Sequence, residues 1–179
     1  MIYPHEFSPD LVSIVQEFNC GPDEWSKDVN SWIRGGPDDG ESALSCIANQ
    51  NRWCRVWIYS TGESPTPETL VGYSSLGLGR WPFGTTKIPI GTIPFLGVDL
   101  RFQKQYHEGK ESFAMGMYRD LLSSADALLD PQIKILGLYV DPRNDDGIKF
   151  WRKCGFENLE GKTYLEHGVA YQGMFSQFR

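Results

Sequence analysis

Apolar residues recur at helical spacing in two stretches of this chain and alternate or cluster at strand spacing in several others. Phe113, Met117, Leu121 and Leu128 fall four or seven apart and predict the longest helix, over 113–129, stopped by Asp130-Pro131. Trp25, Val29, Trp32 and Ile33 predict a second helix over 23–33 that ends at Gly35-Gly36. Ser8 and Pro9 suit the cap and first turn of a short helix over 8–15. A further short helix is expected over 145–153, with Gly155 closing it. Residues 52–59 are rich in aromatic and β-branched types and predict a strand, followed by others over 70–76, 93–101 and 133–140 and one or two within 163–175. The run over 77–91, with its glycines and prolines, reads as an exposed excursion between strands, and 104–112 as a polar loop. The order predicts an α/β (α+β) fold, a mixed and mostly antiparallel sheet flanked by helices, in a single domain spanning 1–179.

Composition narrows the function. The formal net charge of -6 disfavours a phosphate backbone as partner, so nucleic acid is not expected. The same charge suits either a cationic amine or solubility alone. No run of about 18 apolar residues exists, so no membrane partner is expected. The opening residues lack a basic and then apolar leader, which makes the cytoplasm the default location. Cys20, Cys46, Cys54 and Cys154 form no C-x-x-C pair, and His5, His107 and His167 are dispersed, so free thiols and no metal site are expected.

Candidate chemistry concentrates at 99–116, where a strand leads through a loop containing Gly109 into a helix. Unpaired N–H groups and the dipole at a helix start suit a pyrophosphate, and Lys110 adds a cation. The alternative is that Gly109 turns the chain and Ser112 caps the helix. Further along, Val140-Asp-Pro-Arg-Asn144 and Phe150-Trp-Arg-Lys-Cys-Gly-Phe156 resemble the "V-D-P-x-N-x-x-A-x-x-F-Y-x-K-x-G-F" segment of the GCN5-related N-acetyltransferases (GNAT). Leu96-Gly-Val-Asp99, Val71-Gly-Tyr-Ser-Ser-Leu76 and Leu121-Leu122 resemble other segments of that family in its order. Phe18-Asn-Cys-Gly21 is similar to the opening of a subgroup that includes toxin-type acetyltransferases.

The resemblance implies two splayed central strands near Val98 and Tyr139, with acetyl-CoA as co-substrate between them and an amine as acceptor. It implies cofactor contacts from Val98, Leu100, Gly109, Lys110, Ser112, Ala114, Gly116 and Asn144. One register sets Glu111–Gly116 against the family's pyrophosphate loop, with Ala114 and Gly116 at its glycines; another uses Tyr106–Lys110. Asn144 is read both as a pantetheine contact and as a helix cap. Trp151 stands where many family members carry an acidic tyrosine, and an indole cannot supply that proton. Asp99 and Glu111 are candidate proton acceptors and Tyr139 a candidate acid, with the catalytic pair left unassigned. Trp81 and Phe83 are read as lining an acceptor pocket or a homodimer contact. The expected activity is acetyl transfer to a primary amine of a small molecule or protein; the alternatives are a toxin acting on aminoacyl-tRNA and a non-catalytic acyl-CoA-binding module.

Overall fold

The computed structural model describes residues 1–179 except 50–52, 84, 108–110, 167 and 179. Strand β1 (Tyr3–Glu6) is followed by a 3-10 turn (Pro9–Leu11) that runs into α1 (Val12–Val15), then α2 (Glu24–Arg34) and α3 (Ala43–Ala48). Next come β2 (Cys54–Ser60), β3 (Leu70–Phe83), β4 (Thr86–Thr92) and β5 (Leu96–Val98). The short strands β6 (Tyr106–His107) and β7 (Glu111–Ser112) precede α4 (Phe113–Leu128). The chain closes with β8 (Ile135–Val140), α5 (Asp145–Lys153), β9 (Glu157–Glu166) and β10 (Val169–Gln177).

One sheet runs in the order β1-β2-β3-β4-β8-β10-β9, with β5 also paired to β3. Its pairings are antiparallel except for β4 with β8, which is parallel. Each face carries its own core, because successive strand residues point to opposite sides. Val56 and Ile58 of β2 join Phe18, Trp32, Ile33 and Leu44 from the N-terminal helical segment. Trp57 and Tyr59 join Met117, Leu121 and Ala125 of α4, Leu136, Leu138 and Val140 of β8, and Trp151 of α5.

The expected excursion over 77–91 is a strand hairpin instead. Gly77 and Gly79 belong to β3, and the Thr92 side chain fills the space their missing Cβ atoms leave: Thr92 Oγ1 lies 2.9 Å from the Gly77 Cβ position and Thr92 Cγ2 2.9 Å from that of Gly79. Trp81 and Ile90 anchor the hairpin, both buried. The strand expected over 93–101 shortens to Leu96–Val98, because the ladder changes partners around Pro94, which has no N–H to donate. Ser8 makes no side-chain cap bond, and the helix expected there splits into a 3-10 turn and one α-turn. Helix α3 was not anticipated; Ser42 and Ser45 close its start with a reciprocal capping box.

Candidate functional site

The site is built by two strands that start side by side and then part. Gly91 and Thr92 of β4 pair with Leu136 and Gly137 of β8, and the Ile93 N–H donates to the Gly137 carbonyl at 2.9 Å. Past that bond the chain turns away. The Phe95 carbonyl accepts from the Ser75 N–H (2.9 Å) and the Asp99 N–H donates to the Val71 carbonyl (2.8 Å), so β5 is held to β3. Among the described residues no ladder joins β5 to β8. Backbone polar groups alternate between strand edges. With Phe95 and Asp99 turned to β3, Leu96 and Val98 present theirs to the opening. On β8, Gly137 faces β4, so the N–H and C=O of Tyr139 face the opening from the other side. The Val98 carbonyl accepts from Gln103 Nε2 at 2.9 Å.

The far end of each strand carries the same lock. In Val98-Asp-Leu-Arg101 the buried Asp99 accepts from the Arg101 N–H (3.0 Å) and Nε (2.8 Å), and its second oxygen accepts from the Asn19 N–H (3.1 Å). In Val140-Asp-Pro-Arg143 the buried Asp141 accepts from the Arg143 N–H (2.9 Å), Nε (3.0 Å) and Nη2 (2.7 Å). The Arg143 guanidinium holds the Asp141 carboxyl below the usual carboxylate range. Arg101 also reaches the Pro67 carbonyl (2.9 Å), and Arg143 reaches Glu24 of α2 (2.7 Å). The sequence reading missed these arginines, although the repeated V-D-x-R was a visible signal.

Helix α4 packs on β3 and β5. Ser112 caps it, accepting from the Met115 N–H at 3.3 Å, and Ala114 and Gly116 lie in its opening turns. The helix begins at Phe113, so the register over Glu111–Gly116 coincides with a helix start, whereas Tyr106 and His107 form β6. Gly116 leaves room for Ile2, whose Cδ1 is 3.0 Å from the Gly116 Cβ position. Gly109 and Lys110 lie outside the described residues. Leu100 sits in the turn beyond Val98, its N–H donating to the Asn19 carbonyl at 2.8 Å. Asn144 caps α5 through Oδ1, which accepts from the Gly147 N–H at 2.8 Å.

The candidate acid–base groups are placed unequally. Asp99 is committed to Asn19 and Arg101, and Glu111 pairs with Arg119. Trp151 is buried edge-on against Phe150 (5.0 Å), Phe156 (5.2 Å) and Tyr118 (5.9 Å), a packing role. Tyr139 lies on the opposite face, its ring 5.2 Å from Trp81 and 5.4 Å from Tyr164. Burial pushes the Cys20 thiol up to about 11 and the Cys154 thiol up to about 12, so neither is a thiolate at neutral pH.

No family model matches the sequence, and no curated protein matches it. Solved structures do. A bacterial toxin superposes with a TM-score of 0.70 at 18% identity, over 99% of this chain and 91% of that one. A mutant AtaT toxin, solved with the C-terminus of the antitoxin AtaR and acetyl-CoA, gives 0.67 at 18% identity over 99% and 93%. Arabidopsis thaliana NAA60, solved with a bisubstrate analogue, gives 0.62 at 13% identity over 98% and 95%. A putative acetyltransferase of the GNAT family from Desulfovibrio desulfuricans gives 0.62 at 11% identity over the full length of both chains. The chain has the GNAT acetyltransferase fold.

Proposed function

We propose that this GNAT-fold protein is an acyl-CoA-dependent N-acetyltransferase that takes acetyl-CoA between β5 and β8 and transfers the acetyl group to a primary amine. The opening itself carries the reading: strand edges from Leu96, Val98 and Tyr139 face one another without a ladder, beside a capped helix start. An extended pantetheine arm has amides that suit such edges. The pyrophosphate then meets the first turn of α4, near Ser112, Ala114 and Gly116; Gly109 and Lys110, which precede them in sequence, lie outside the described residues. Asn144 and Val98 flank the arm. The amine nitrogen attacks the thioester carbonyl, a backbone N–H of β5 stabilises the oxyanion, the N–C bond forms, and the C–S bond breaks. The thiolate leaves with the electron pair and takes up the proton that the amine gives off, through water, because Trp151 cannot donate one. No helix of the described residues is long and apolar enough to cross a membrane.

Thermal denaturation with acetyl-CoA tests the cofactor. At 100 times the dissociation constant a ligand adds about 2.7 kcal/mol, or roughly 5–11 °C for a chain of this size. No rise at saturating acetyl-CoA removes the reading. A rise without transfer to any amine in a mixed panel would fit a binding module.

The full-length likeness to toxins favours one second reading, acetylation of aminoacyl-tRNA. The net charge of -6 weighs against it. Product formed with charged tRNA alone would support it.

A further inference from the structure

The two faces of the opening are unlike. Leu96 and Val98 of β5 pack toward the α4 core, as do Leu136, Leu138 and Val140 of β8. The other face is where α2 arrives. There β5 offers only Gly97, whose Cβ position lies 2.7 Å from Val29 Cγ1 of α2. β8 offers Gly137 and Tyr139, and β10 offers Gly173 opposite Tyr139. Aromatic rings stand around Gly97 and Gly137, whereas the Lys162 side chain covers Gly173, its Cγ 2.8 Å from the Cβ position. Trp81 lies over Gly137, with its ring 2.8 Å from the Cβ position, and touches Tyr139; Tyr139 touches Tyr164. Tyr171 follows on β10, paired with Tyr164 of β9. The helices of this face cover β2 and β5, and the aromatic part beyond them keeps Tyr164 46% exposed and Tyr139 and Tyr171 half-buried. The surface is continuous with the opening through Tyr139, whose backbone edges it.

The polar groups around this surface have distinct partners. Arg143 is tied to Asp141 and Glu24, and Lys162 lies over the Trp81 ring (5.4 Å). Asp28 of α2 accepts from the Tyr171 hydroxyl at 3.2 Å, which brings a carboxylate to the edge where α2 meets the ring surface.

We propose that this face is the acceptor site, and that the acceptor is an aromatic amine that is protonated in solution, its ring against Tyr139 and Tyr164 and its ammonium toward Asp28. Flat rings gain by stacking on a rigid aromatic surface, and a cation gains from ring faces and a carboxylate together. Asp28 then receives the ammonium proton, which leaves a neutral nitrogen to attack the thioester; the attack proceeds as set out above. This assignment rests on the acetyltransferase reading, and its test separates the two.

The experiment uses the full chain saturated with CoA, after thermal shift has established CoA binding. Tryptamine and agmatine, both cationic, are titrated by calorimetry, and their acetylation is then measured with acetyl-CoA. Tryptamine is expected to bind and react at least tenfold better than agmatine. Tyr164→Ala is expected to raise the tryptamine KM about tenfold and leave the acetyl-CoA shift unchanged. Asp28→Asn is expected to lower kcat/KM for tryptamine at least tenfold, whereas Tyr171→Phe, which breaks the same tether between α2 and β10, is expected to leave it within twofold of the parent. Equal or better use of agmatine, no tryptamine binding at millimolar concentration, or wild-type kinetics in both Tyr164→Ala and Asp28→Asn overturns the acceptor assignment while CoA binding stands. Loss of CoA binding in the parent protein overturns both.

Discussion

Asp99 and Asp141 show how a residue type can suggest one role and its contacts another. A carboxylate at the end of a strand beside the opening is a natural candidate base, yet each is buried and its oxygens are taken, by the arginine two positions on and, for Asp99, by the Asn19 N–H as well. For Asp141 the consequence is a pH dependence. Its folded-state pKa is depressed, so its contribution to stability is present above the usual carboxylate value and is lost as pH falls through the lowered one. Asp141→Asn is therefore expected to cost about 1–2 kcal/mol at neutral pH, limited by the half-exposed guanidinium of Arg143. Urea titrations should show that difference shrinking below about pH 4. Asn144 and Ser112 were legible in the sequence as caps because capping is local chemistry; whether each also contacts a cofactor depends on groups far away in the chain. The side of Tyr139 was not legible, since alternation fixes which residues share a face but not which face is which.

At the scale of elements, α4 is fixed to the sheet by polar as well as apolar contacts. The buried Tyr59 hydroxyl donates to Asp120 Oδ2 (3.1 Å) and lies 2.9 Å from Ser74 Oγ. Burial pushes the Asp120 carboxyl upward, partly offset by the Tyr59 bond. A raised folded-state pKa means that stability falls as pH climbs from the usual carboxylate value through the raised one. Asp120→Asn keeps an acceptor for Tyr59 and is expected to leave the melting temperature at pH 7 equal or higher, with a flatter profile between pH 4 and 7. Gly72 makes a different demand. A Cβ there would lie 2.2 Å from the Gly97 carbonyl and 3.0 Å from the Met117 side chain, so β5 or α4 must move. Gly72→Ala is expected to destabilise by about 1–3 kcal/mol and to weaken acetyl-CoA binding, as read by the two midpoints in urea. Periodicity revealed α4 and α2 because each buries one stripe, while α5 was marked by the glycine that closes it. It missed the β3–β4 hairpin because glycines there are filled by Thr92 from the next strand, a pairing invisible to local pattern.

For the whole molecule, the sequence conveyed more than an identity of 11–18% to the solved structures named above would suggest. Short segments in a fixed order implied parted strands, and the fold carries them. What order could not convey is the asymmetry of the two faces, which arises from α2 crossing one half of the sheet. Trp151 belongs to the tightly packed side. Trp151→Ala is expected to cost about 3–5 kcal/mol by opening a cavity among Tyr118, Phe150 and Phe156, measurable as a drop in the denaturation midpoint.

The tie from Arg143 to Glu24 has a mechanical consequence. Helix α2 touches one rail of the cleft at Gly97 and grips the end of the other through that guanidinium, so it acts as a brace across a span that no hydrogen-bond ladder closes. The two rails are thus linked twice, through the sheet by β3 and β4 and outside it by a helix. The outer link is exposed and worth at most about 1 kcal/mol, so it is the one that yields first when the rails are pushed apart.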